Sequence, residues 1–286
     1  MLKHCIYEWR CAVWRLSKGQ PTMTTGSGLT ETVLYDTLIN YLVSMARTVE
    51  GAMNRALDSL VGLENAATSS LPGEVFLLEP RINEMEIVID EHAIRLLRRG
   101  SFSDDEMRLI VAALKITNDL ERIGDIAVNV AERVISLREL PSAELPEELA
   151  PMASAVRAMV SKSLGALIFR NVEMATQVLE SDDVVDQYRD RIFERLLQSM
   201  TQAPAAVSPG LQFILATRHL ERIADHATNI AEDIIFWVRG LDVRHGRGLT
   251  VHPEQTADVE TRSTMVTENS HGLHSNVTPA CDTQRA

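Results

Sequence analysis

Glu121, Asp125 and Asn129 stand four residues apart, and Glu221, Asp225 and Asn229 repeat the spacing one hundred residues later. A helix turning about 100° per residue gathers Asn118, Glu121, Asp125, Asn129 and Glu132 into a stripe about 80° wide. Ile116, Ile123, Ile126, Val130 and Val134 fall on the far side and form the expected core face. In the second copy Glu221, Asp225, Asn229 and Glu232 make the stripe, and Ile223, Ala227, Ile230 and Ile234 the core. Arg218 replaces Asn118 there, and His226 replaces Ile126. Carboxylates one turn apart repel by about 0.2–0.5 kcal/mol, and no lysine interrupts either stripe. A multivalent cation would turn that repulsion into attraction. Oxygen donors alone suit hard or borderline ions such as Mg²⁺, Mn²⁺ or iron.

One helix offers too few ligands, so a second must contribute. Glu79 with Asn83, and Asp182 with Asp186, are pairs four apart that an offset of 103 relates. The apolar neighbours Ile82 and Val185, and Ile89 and Ile192, favour this offset. An offset of 100 would instead match Glu86 and Asp90 to Asp186 and Asp190. The competing reading is a solvated outer face, with Glu79 and Asp182 acting as helix caps. Arg122 and Arg222 are expected in salt bridges or lying over the core. His226 is expected to pack on the core side, and His219 to lie at the surface.

These residues belong to an internal repeat. LERIGDIAVNVAE runs from Leu120 to Glu132, and LERIADHATNIAE from Leu220 to Glu232. Across 117–135 and 217–235, eleven of nineteen positions are identical, so the chain consists of two homologous halves. The halves are 29–140 and 145–242, divided by a linker at 141–151 that holds Pro141, Pro146 and Pro151. Residues 1–28 form an N-terminal extension of different composition, and 245–286 read as a disordered polar tail. Helices are expected over 29–62, 104–139, 147–169 and 208–240. Ser103 and Glu106 supply a capping box, and Gly240 a C-terminal stop. Glu79-Pro80 and Ser181-Asp182-Asp183 are expected to start the returning helices, with Pro72-Gly73 breaking the helix before the first. The fold class is all-α, a tandem duplication of two three-helix bundles.

The 286 residues are 45% hydrophobic and only 5% aromatic, as a helical globular protein would be. A net charge of −12 argues against a general nucleic-acid binder, which needs basic surface. Uninterrupted apolar runs are only a few residues long, so no segment is expected to span a bilayer. Cys5, Cys11 and Cys281 all lie near the ends, which leaves the core without a disulfide and fits a reducing compartment. No signal peptide is evident at the N-terminus. Gly-rich phosphate loops and nucleophile elbows are absent. The Glu-x-x-His of a di-iron oxidase occurs only at Glu268–His271, in the tail.

The duplicated LERIGD and LERIAD segments resemble the PhoU family of phosphate-transport regulatory proteins. INEMEIVIDEHAIRLL (Ile82–Leu97), VVDQYRDRIF (Val184–Phe193) and FWVRGLDVRH (Phe236–His245) agree with it. The resemblance covers about residues 30–245. It implies a cytoplasmic, often dimeric regulator without enzymatic activity. Such a protein restrains the phosphate-starvation response, contacts the phosphate ABC transporter and a sensor histidine kinase, and is peripheral to the membrane rather than embedded in it. It also implies multinuclear iron or zinc held at Glu121–Asp125 and Glu221–Asp225, faced by Glu79–Asn83 and Asp182–Asp186. Glu79 stands where the family usually has Asp, and Pro80 follows it. The alternatives from other classes are a metal-dependent carboxylate enzyme, a metal-free helical scaffold, and a regulator of a low-affinity phosphate permease.

Overall fold

A computed structural model describes residues 28–140 and 144–244. The expected extension before Gly28, Pro141, the tail at 245–286 and all three cysteines lie outside the described residues. Every regular element among the described residues is helical. They are α1 (Gly28–Val61), α2 (Leu71–Leu97), α3 (Asp104–Glu139), α4 (Leu149–Phe169), α5 (Val172–Leu179), α6 (Asp182–Gln202) and α7 (Val207–Arg239). Short 3₁₀ turns stand at Ala66–Thr68 and Pro204–Ala206.

Local sequence explains most of the boundaries. Ser103 and Glu106 exchange both bonds of a capping box at the start of α3. Gly240 closes α7 in the left-handed region at φ 69°, and its N–H bonds to Phe236 O. Arg170 leaves α4 in a left-handed conformation at φ 50°. Asn171 then caps α5 by accepting from the Met174 N–H.

The start of α2 differs from expectation. The helix begins at Leu71, with Pro72 in its first turn, and continues through Pro80. Pro72-Gly73 therefore opens a helix instead of breaking one, and Glu79 is not a cap. An internal proline costs a helix about 3 kcal/mol. Here Pro80 faces solvent, while Val75, Ile82 and Ile89 bury their side chains and hold the helix on the core. Packing outweighs the local signal.

A second correction concerns α4. Leu149–Phe169 is long and apolar enough to cross a membrane by length and composition, although its apolar runs are short. Most of its apolar residues are core: Leu149, Met152, Val156, Val160, Leu164 and Leu167 are all buried, and Phe169 at its end is exposed.

α1, α2 and α3 pack as one bundle, and α4 to α7 as a second. The most extensive helix pair is α3 with α7, which joins the two. Four polar contacts set its direction. Arg133 donates to Gln212 at 3.2 Å, His226 to Asp119 at 2.8 Å and Asn229 to Asp119 at 3.3 Å, and Lys115 pairs with Asp233 at 3.4 Å. As the α3 number falls, the α7 number rises, so the helices are antiparallel. In repeat numbering the pairs are arranged symmetrically about Ile123 and Ile223, both fully buried. A pseudo-twofold axis therefore crosses the seam beside these two isoleucines.

Candidate functional site

The leading glutamate of each acidic stripe does not face open solvent. Only 16% of the Glu121 side chain is exposed, and 24% of Glu221. The neighbours that cover them are α2 in the first half and α6 in the second.

In the first half Ile82 of α2 sits against Gly124 of α3. A Cβ on Gly124 would lie 3.0 Å from Ile82 Cδ1. With that register, Glu86 joins Glu121 and Asp125 in one electrostatic cluster. Burial and the charge of Asp125 raise the pKa of Glu121 above its ordinary value of 4.5, with Glu86 adding to the rise and Arg122 opposing it. Burial and Asp90 raise Glu86, again against Arg122. Arg122 lies 3.4 Å from both Glu121 and Asp125, in the salt-bridge role its position implied. Asn83 donates to Glu79, and its Oδ1 is buried without a partner. Asn129 is half-buried on the same helix.

The second half gathers more acid. Burial raises the Asp182 pKa first, followed by the charges of Asp225, Asp186, Asp183 and Glu221. Asp225 is raised by burial, Glu221 and Asp186, and is lowered by His226 and Arg189. Arg189 lies at the centre. It bonds to Asp186, Asp190 and Glu221, and these partners raise its own pKa further. α6 starts at Asp182, so Asp182 is in the first helical turn as well as in the cluster. Asn229 is turned to the seam, where it donates to Asp119.

The structure thus brings Glu121 together with Asp125, and Asp182 and Asp186 together with Glu221 and Asp225. Glu86, Asp90 and Arg189 are the additional members. The offset-100 pattern contained the two acids, and nothing in the sequence placed Arg189 among four carboxylates. As placed, no three His, Cys, Asp or Glu side chains among the described residues are grouped to hold one metal ion. The donor chemistry nonetheless fits a hard cation, because carboxylates that repel one another are held half-buried. His219 departs from its expected surface place: it is half-buried, and burial together with Arg222, Arg133 and Arg218 lowers its pKa from 6.5. His226 spans the seam.

Fold and site together define a duplicated all-helical protein, with two homologous bundles mated antiparallel and a carboxylate cluster in each. Residues 42–134 and 149–234 each match the family model of the PhoU domain. A phosphate-specific transport system accessory protein PhoU homolog of Pseudomonas aeruginosa is 39% identical over 219 residues, covering 76% of this chain and 88% of that protein. The homolog of Pseudomonas putida is 37% identical, over 72% and 79% of the two chains. The crystal structure of PhoU from Pseudomonas aeruginosa superposes with a TM-score of 0.68 at 35% identity, covering 73% of this chain and 99% of that one. This chain belongs to the PhoU family.

Proposed function

We propose that this protein is an accessory regulator of phosphate transport, acting through protein contacts rather than as an enzyme. The observation that carries this reading is the match of both halves to the PhoU domain, together with 39% identity to an accessory protein of the phosphate-specific transport system. In this reading it works in the cytoplasm as a homodimer, contacts the phosphate ABC transporter and a sensor histidine kinase, and restrains the starvation response when phosphate is plentiful. Iron or zinc would be held by Asp182, Asp186, Glu221 and Asp225. A second site would form at Glu121, Asp125 and Asn129, with Glu79 and Asn83 from α2. A bound cation would remove the repulsion within each cluster and change the charge of the docking face at the same time.

Complementation tests the regulatory role. The gene is expressed in a bacterium lacking its own PhoU, and a phosphate-starvation reporter is read in phosphate-rich medium. Restored repression is the expected result. Continued reporter activity with folded protein present, alongside repression by the Pseudomonas aeruginosa homolog, would overturn the reading.

A further inference from the structure

The two flanks of the α3–α7 seam differ in charge. On one flank Asp119 is matched by His226 and Asn229, and Asp233 by Lys115. The repeat mates of Asp119 and Asp233 are His219 and Arg133, so the pseudo-twofold axis carries two acids onto two basic residues. There the matching fails. Arg133 donates from its Nη atoms to Gln212 and Glu132, but its Nε is buried without a partner. His219 Nδ1 is also buried without a partner. Arg218 and Arg222 stand one residue before and three after the same histidine on α7, at exposed positions and outside the ion pairs among the described residues. Arg222 differs here from its repeat mate Arg122, which is held by Glu121 and Asp125. Buried polar groups in folded proteins are nearly always hydrogen-bonded, so these atoms call for a ligand. The ligand must accept hydrogen bonds and carry negative charge. The unpartnered atoms are buried, so a small group fits them better than a protein face does.

We propose that Arg133, His219 and Arg222 form an oxyanion site on this flank of the seam, with Arg218 at its edge, and that it takes a phosphate group. Arg133 Nε–H and the Arg222 guanidinium donate charge-assisted bonds, and His219 Nδ1–H supplies a third. Glu132 is the carboxylate that opposes binding. The site uses none of the carboxylates of the two acidic clusters. The inference is independent of the metal reading, and it can fail while complementation succeeds.

Equilibrium dialysis with labelled inorganic phosphate, on chelator-treated full-length protein, tests the site. Saturable binding of one phosphate per chain is expected. Arg222→Gln, at an exposed position whose change leaves the fold alone, should weaken it about tenfold or more, the worth of one charge-assisted bond. Arg133→Gln should do the same, and Glu132→Gln should tighten binding. Arg122→Gln, the repeat mate on the acidic cluster, should leave it unchanged. A second arm uses phosphatidylcholine vesicles containing phosphatidic acid. Arg222-dependent sedimentation that free phosphate cannot displace assigns the site to a lipid phosphate, and displacement assigns it to the soluble ion. The inference is overturned if folded protein binds neither probe. It is also overturned if binding survives both Arg133→Gln and Arg222→Gln, or requires Asp225 or added metal.

Discussion

One carboxylate oxygen of Asp119 holds two side chains of the opposite half, His226 Nδ1 at 2.8 Å and Asn229 Nδ2 at 3.3 Å. Asp119 is buried on α3, and both partners belong to α7. Replacing it by Ala leaves two donors at the seam unpaired. The expected loss is about 1–3 kcal/mol of stability. It should appear as a lower urea midpoint at unchanged slope. Combined with His226→Ala, the two losses should be less than additive, because both remove one bond.

Metal content is the direct check of the acidic clusters. Asp125→Ala with Asp225→Ala should abolish bound iron or zinc, read by elemental analysis of loaded and desalted protein, while helical circular dichroism stays intact. Unchanged metal in this double variant would place the site elsewhere. Asp182→Asn alone should lose more metal than Glu79→Gln, since Asp182 stands among more carboxylates.

In the metal-free protein the clustered carboxylates should contribute stability on mild acidification, against the opposite contribution of His219, whose lowered pKa costs stability as pH falls. Glu86, Glu121, Asp182 and Asp225 all have pKa values raised in the folded state. At these carboxylates the folded chain therefore binds more protons than the unfolded one within that range, and their contribution to stability falls as pH rises through it. The gain builds as pH drops through the raised values. It is complete near the ordinary values, 4.5 for Glu and 3.8 for Asp. Between about pH 7.5 and pH 5 the urea midpoint of wild type should change more favourably than that of Glu121→Gln with Asp225→Asn. A midpoint that falls on acidification in wild type, and equally in this variant, would contradict the assignment.

Ile123 and Ile223 flank the pseudo-twofold axis and are fully buried. A charge there has no partner and costs several kcal/mol, on the order of the whole stability of a domain. Ile223→Asp should yield no cooperative unfolding transition. A soluble and cooperative variant would show that the seam is elsewhere.

The packing of Gly124 against Ile82 makes a paired prediction. The second half carries Ala224 and Val185 at the corresponding positions, so the bulk sits on opposite partners. Gly124→Ala alone should crowd Ile82, and Ile82→Val alone should leave a small void costing about 0.5–1.5 kcal/mol. Together they should be better than the sum, with a coupling of at least about 0.5 kcal/mol by urea unfolding.

These results show where sequence sufficed. The repeat, the apolar period of α1, α3 and α7, the capping box at Ser103 and the stop at Gly240 are local signals, and the helices follow them. Pro80 misled because one proline was weighed without the burial of Val75, Ile82 and Ile89 on either side of it. The partner of Glu121 was harder to see. Glu79, Asn83, Glu86 and Asp90 all lie along one flank of α2. Which of them stands level with Glu121 depends on how far α2 slides along α3, and the seating of Ile82 on Gly124 fixes that. Neither helix alone encodes it. The seam was hidden for the same reason, since His226 gave its direction but not its partner Asp119.

The axis beside Ile123 and Ile223 is the one that two identical single-bundle subunits would share. In such a dimer both flanks would have to be the same, because each residue appears twice. Joining the copies in one chain lifted that requirement, and the flanks now differ: Asp119 and His226 on one, Arg133 and His219 on the other. The two ends of the seam are thereby distinguishable. The seam is therefore directional, where a symmetric dimer would have presented two equivalent flanks.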